Sequence, residues 1–102
     1  MTRVELASEV TDDFDRIVAH LDRHHVPNPE ARIGEIVQAL QVLTHSPLMG
    51  RPVDDDIREL VIGRGSHGYI AAYHYVEAMD MVLVVAIRSQ KEGGYADRDG
   101  RG

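Results

Sequence analysis

The chain has 102 residues, no cysteine, no tryptophan, one phenylalanine and a net charge of −6. That length allows one core and not two. The missing cysteines exclude disulfide frameworks, thiolate metal sites and thiol chemistry, and fit a reducing compartment. The acidic balance runs through both halves of the chain and works against phosphate binding, which a basic surface favours.

In chain order, Arg3–Ala7 alternates and predicts a short edge strand with Val4 and Leu6 on one face. Ser8 is placed to cap a helix. Val10, Phe14, Ile17, Val18 and Leu21 then recur at steps of three and four, the stripe of an amphipathic helix. Asp12, Asp13 and Asp15 lie early in it, and His24 and His25 late, as the helix dipole favours. Val26-Pro27-Asn28-Pro29 breaks the helix, with Asn28 as the next cap and Pro29 at the first helical position. A second helix is expected from Pro29 to about Thr44, with Ile33, Ile36, Val37, Leu40 and Leu43 as its apolar stripe. The two form an antiparallel hairpin whose stripes face a sheet.

Ser46–Pro52 ends the helical half, and Asp54-Asp55-Asp56 reads as a solvated acidic turn. The rest is three apolar runs, Ile57–Ile62, Tyr69–Val76 and Met81–Ile87, separated by Gly63–Gly68 and Glu77–Asp80. This predicts an antiparallel meander. Met81–Ile87 is apolar throughout and reads as a strand buried on both faces. On Tyr69–Val76 we place the Tyr69, Ala71, Tyr73 and Tyr75 face toward the helices, with Tyr73 and Tyr75 as core residues whose hydroxyls are hydrogen bonded. Residues 1–95 are thus expected to be one α+β domain: an N-terminal strand, a two-helix hairpin and a C-terminal β-meander. Residues 96–102, small and charged, are expected to form a flexible tail. No secretory leader pattern appears at the start of this sequence, and no apolar run is long enough to span a bilayer. We therefore expect a cytoplasmic protein.

Six histidines invite a metal reading. His20 and His24 share a helix face, but no third ligand stands at a telling distance and no HExxH pattern occurs, so no metal is expected. Phosphate-loop, dinucleotide and serine–histidine–acid patterns are missing as well, and no cofactor is expected.

Ser46–Pro52, Ile57-Arg58-Glu59-Leu60, Gly68–Tyr73, Val84–Arg88, Gln90-Lys91-Glu92 and Tyr95, in that order and spacing, resemble the RelE/ParE toxin superfamily of type II toxin–antitoxin modules. The early strand, and the helix ending in Leu-x-x-x-Pro, match as well. The resemblance covers about residues 3–95. It implies a toxin neutralised by a cognate antitoxin, whose flexible tail wraps the toxin's helices and sheet. On that basis Phe14, Ile17, Leu21, Ile36 and Leu40 are candidate antitoxin contacts.

Two mechanisms share the fold, which by itself does not choose between them. RelE-like members cut mRNA on the ribosome; ParE-like members act on DNA gyrase and block replication. Metal-free RNA cleavage needs a base, an acid and cations that steady the developing phosphorane charge. RelE-like nucleases carry those cations on the second and third strands of the fold, the first two strands of the meander. Here Arg58–Ile62 has no lysine, and Ile70 stands where RelE carries an arginine. Arg88 and Tyr95 fall near the superfamily's C-terminal arginine and tyrosine. The departure favours a ParE-like gyrase inhibitor with a ParD-like antitoxin, which touches operator DNA only through that antitoxin. The alternative is an mRNA interferase using Arg88, Tyr95 and His67 (or His74). Arg58, Arg64, Arg88, Gln90, Lys91 and Tyr95 are the candidate target contacts. For Arg58 the competing reading is an ion pair with Asp54–Asp56 or Glu59, and for Arg51 a solvated or pairing arginine. A third possibility is a relative that only binds its antitoxin.

Overall fold

A computed structural model of the chain describes residues 1–63 and 68–90. The elements are β1 (Arg3–Leu6), α1 (Ser8–Arg23), α2 (Pro29–Leu40), a 3-10 turn (Gln41–Thr44), β2 (Arg51–Pro52), β3 (Arg58–Ile62), β4 (Tyr69–Val76), a second 3-10 turn (Glu77–Met79) and β5 (Met81–Ser89). They make one five-stranded sheet in the order β1-β5-β4-β3-β2. β1 lies parallel to β5 at one edge, and all other pairs are antiparallel. The expected α+β architecture of strand, helix hairpin and meander is the one observed, with the three meander strands close to their predicted positions.

Both helices pack on one face of the sheet. The core joins Val10, Ile17 and Leu21 of α1, Ile36 and Leu40 of α2, and Leu43 to the inward residues of the strands. From β4 these are Tyr69, Ala71 and Tyr73, so the tyrosine face does turn toward the helices. From β5 they are Val82, Val84 and Ile87. The β4–β5 register runs Ala72↔Ala86 but Tyr73↔Val84, which leaves Val85 as an extra residue, a β-bulge.

Several expectations need correction. β5 is fully buried on one face only. Met81, Leu83, Val85 and Ala86 on it are half-buried, because no described helix covers the other side of the sheet. β2 was not expected. It is a two-residue strand that closes onto β3 through Arg51↔Glu59 and Pro52↔Arg58, too short for any periodicity to register and containing a proline. α2 ends at Leu40, and the stretch up to Thr44 is the tighter 3-10 turn Gln41–Thr44. Ser8 is the first residue of α1 rather than its cap; Ala7 holds that position. Asn28 does occupy the cap of α2, in the left-handed region at φ 54°, but its side chain makes no capping bond. It is Asn28's tolerance of that conformation that fits it there, followed by Pro29 at the helix start.

Asp13 has a larger task than complementing the helix dipole. β1 pairs with β5 only as far as Val84, so the outer backbone edge of β5 is open beyond it. Asp13 Oδ2 accepts the Ile87 N–H at 2.9 Å, and Arg16 donates to the Ile87 carbonyl at 3.1 Å. Asp13 and Arg16 are themselves paired at 2.9 Å. Two side chains of α1 thereby take the place of a neighbouring strand, and a buried stretch of backbone keeps its partners. Among the described residues no helix is long and apolar enough to cross a membrane.

Candidate functional site

Alternation along β3, β4 and β5 puts Glu59, Val61, Ile70, Ala72, His74, Ala86 and Arg88 on the face of the sheet away from the helices. Its charged group is a bridge across four strands. Glu59 Oε1 accepts from Arg51 at 3.3 Å, and Glu59 Oε2 accepts from Arg88 at 3.5 Å. The Glu59 side chain is 16% exposed, against 76% for Arg51 and 45% for Arg88. One sheltered carboxylate thus holds two accessible guanidinium groups.

Arg58 points elsewhere. Its Nη1 donates to the carbonyls of Leu48 (3.0 Å) and Gly50 (2.8 Å). The scaffold role weighed for it is present, but the partners are loop carbonyls and not the acidic turn. Beside it the loop is fastened a second time. The Tyr73 hydroxyl donates to the Pro47 carbonyl and accepts the Gly50 N–H, each at 2.8 Å. Burial pushes that hydroxyl above the ordinary phenol range, while the Gly50 N–H and the Arg58 charge pull it down. Arg58 and Tyr73 together set the path of residues 47–50, which delivers Arg51 to Glu59.

At the opposite end of β4, Tyr75 donates to Asp80 Oδ1 at 2.9 Å, and the buried Thr2 donates to the same oxygen at 2.6 Å. The Thr2 hydroxyl first, then that of Tyr75, hold the Asp80 carboxyl below the usual carboxylate range. The bond to Asp80 raises Tyr75 in turn. Between this end of β4 and the loop before β3 lies a cleft of about 240 Å³, whose lining includes Leu48, Asp56, Ile57, His74 and Glu77.

The candidate target contacts are distributed as follows. Arg88 and Gln90 lie at the end of β5, where the Gln90 N–H is bound to the Gly68 carbonyl and its buried side-chain Nε2 has no partner among the described residues. Arg58 is on β3, turned to the loop. Arg64, His67, Lys91 and Tyr95 fall outside the described residues. Among the candidate antitoxin contacts, Ile17, Leu21, Ile36 and Leu40 are at most 8% exposed and belong to the chain's own core; Phe14 is half-buried beside them. Their stripe pattern is the same for a core and for a binding face, which is why the sequence did not separate the two. Sequence reasoning took Glu59 only as a possible ion-pair partner of Arg58. The signal was available: with Leu60 and Ile62 as the apolar inward positions of the strand, Glu59 and Val61 are outward residues.

His20 and His24 do meet, with ring centroids 4.4 Å apart, and His24 Nδ1 lies 2.9 Å from the His20 carbonyl. Among the described residues no group of three or more histidine or acidic side chains is placed to hold a metal.

Comparison with known proteins agrees with the architecture. A family profile described as "ParE toxin of type II toxin-antitoxin system, parDE" matches residues 4–93. Among solved structures, one described as "Chromosomal ParDE TA system from P. aeruginosa" is similar with a TM-score of 0.72 and 17% identity, covering 87% of this chain and 96% of that one. At that identity the likeness is one of fold. No curated protein matches significantly. With nearly its whole length matched by the family profile, the chain belongs to the ParE toxin family of type II toxin–antitoxin systems.

Proposed function

We propose that this toxin binds DNA gyrase, blocks replication, and is neutralised by a cognate ParD-like antitoxin in the cytoplasm. The observation that carries the reading is the ParE family match over residues 4–93. Two features of the chain support it. Ile70 on the open face stands where an RNA-cleaving relative would present a cation, and Arg58 is engaged with the Leu48 and Gly50 carbonyls. The similar solved structure is named as a ParDE system, in which a toxin is accompanied by its antitoxin; we extend that partnership to this chain. Operator DNA is reached only through the antitoxin. Arg88 and Gln90 at the end of β5, with Arg64, Lys91 and Tyr95 in the sequence outside the described residues, make the target contact, because as residue types they combine charge with an aromatic side chain.

The test is induction of the toxin without antitoxin, with DNA, RNA and protein synthesis followed by pulse labelling. DNA synthesis should stop first, and purified toxin should inhibit gyrase supercoiling. Early arrest of translation with cleaved mRNA, and gyrase left untouched, would overturn the reading and make the protein a nuclease.

A further inference from the structure

The bridge Arg51–Glu59–Arg88 has an unusual allocation of exposure. The carboxylate is sheltered and the two cations are accessible. Each guanidinium has five N–H donors in a planar fork, and among the described residues Glu59 is the acceptor that both arginines share. The contacts are long for charge-assisted bonds, 3.3 and 3.5 Å. Pairs this long at an exposed surface hold weakly, so another acceptor can displace Glu59 at little cost.

The surroundings select the acceptor. Arg88 stands opposite Ile70 on β4, and Glu59 stands opposite Ala72, which in turn faces Ala86. Val61, the next outward residue of β3, is 58% exposed. The arginines therefore border a shallow apolar trough with small residues along its middle. A nucleic-acid backbone would meet apolar side chains, a half-buried carboxylate and a chain of net charge −6. A polypeptide segment with an acidic residue between apolar ones fits both halves of the surface.

We propose that Arg51 and Arg88 form the receptor for an aspartate or glutamate of a partner polypeptide, and that Glu59 is an internal stand-in for that carboxylate. The inference rests on the reading that this toxin works by binding other proteins. It adds the chemistry of the contact. In the free chain Glu59 holds the two cations together on the outer face of the sheet. On binding, the partner's carboxylate takes over donors that Glu59 held, and its apolar neighbours cover Val61 and Ile70.

The sign of one substitution separates this from a merely structural bridge. The probes are two extended peptides, acetyl-Leu-Val-Glu-Val-Leu-amide and its Gln counterpart, with a single-stranded oligothymidylate as a phosphate control. Binding to the full chain is followed by backbone amide shifts of Glu59, Ile70, Ala72 and Arg88. The Glu peptide should bind saturably, weaken with added salt, and bind more tightly than the Gln peptide. Arg88→Ala and Arg51→Ala should each weaken it about three- to tenfold, and Glu59→Gln should strengthen it by about the same factor. Weaker binding to a folded Glu59→Gln chain would overturn the proposal. Equal binding of the Gln peptide, or binding of the oligonucleotide in place of the peptide, would do so too. Arg51 is so exposed that its removal leaves the fold intact, which keeps the test valid if Glu59→Gln proves unstable. None of these outcomes depends on whether gyrase is the target.

Discussion

The Tyr73 ring and the Gly50 backbone are in direct contact: a Cβ built on Gly50 would lie 2.7 Å from both Cε1 and the hydroxyl oxygen of Tyr73, and 2.9 Å from the Glu59 carbonyl. Two of these are parts of a fully buried ring and one is strand backbone. None can step aside as the tip of a flexible side chain could. Gly50 is thus required by space. Gly50→Ala should cost about 1–3 kcal/mol through overpacking, lowering the melting temperature by several degrees or more in a domain of this size. A thermal melt of the variant superimposing on the wild type would show that the loop has room we do not see.

The hydroxyl of the same tyrosine gives an alkaline signature. Its pKa is raised in the folded chain, so above the unfolded value near 10 the unfolded chain loses its proton while the folded chain keeps it. The stabilising contribution is full below pH 10 and is lost as pH rises through the folded pKa. Tyr73→Phe should remove that part of the alkaline loss. At neutral pH it should cost about 1–3 kcal/mol, because the Pro47 carbonyl and the Gly50 N–H lose their partner. Denaturant midpoints at pH 7 and above pH 10 decide the matter. An unchanged difference between the two conditions would mean that other groups carry the alkaline limb.

Asp80 gives the opposite limb. Its carboxyl is held below the usual range by the Thr2 and Tyr75 hydroxyls, so its contribution is present above the unfolded value near 3.8 and is lost as pH falls through the folded one. Asp80→Asn is the appropriate probe, since asparagine accepts the φ of 49° at this position. Acid titration of stability should be flatter in the variant than in the wild type below about pH 4. Parallel acid curves for the two proteins would remove Asp80 from the account.

Removal of the α1 side chains that stand in for a strand should be visible at a single amide. With Asp13→Ala the Ile87 N–H loses its acceptor, at a cost of about 1–3 kcal/mol for an unsatisfied buried donor. Hydrogen exchange at Ile87 should accelerate more than at Val82 or Val84, which lie where β1 still pairs with β5. Uniform acceleration across β5 would indicate a global loss of stability instead.

The parts of this fold legible in the sequence are those with a period. The α1 stripe and the three meander strands repeat their pattern several times, and the glycine and acidic breaks between them are unambiguous. Side-chain-to-backbone contacts have no period. Arg58 reads beside three aspartates as one half of an ion pair, yet it bonds to the Leu48 and Gly50 carbonyls. Asp13 reads as a helix-dipole residue, and it serves a strand more than seventy positions away. The Thr2–Asp80–Tyr75 bridge joins positions that only the parallel pairing of β1 with β5 brings together. The charged bridge failed for a related reason: Arg51 arrives at Glu59 through a two-residue strand that leaves no trace in composition. Arg88 was identified because it follows the last apolar run, near the position of the superfamily's C-terminal arginine.

That Arg88 is a surface charge at all follows from the odd residue in β5. Val82 and Val84 point inward at even positions and Ile87 at an odd one, so the strand changes parity at Val85. In an unbroken strand Arg88 would share the side of Val84, with its guanidinium driven among the helices. Deleting Val85 would turn β5 into a regular strand and still leave Arg88 outward, because it is the extra residue that absorbs the change of parity. For this chain a frame of two is written into the last strand, and the bulge at Val85 resets it: the same letters laid out without that bulge would turn the end of the strand the other way.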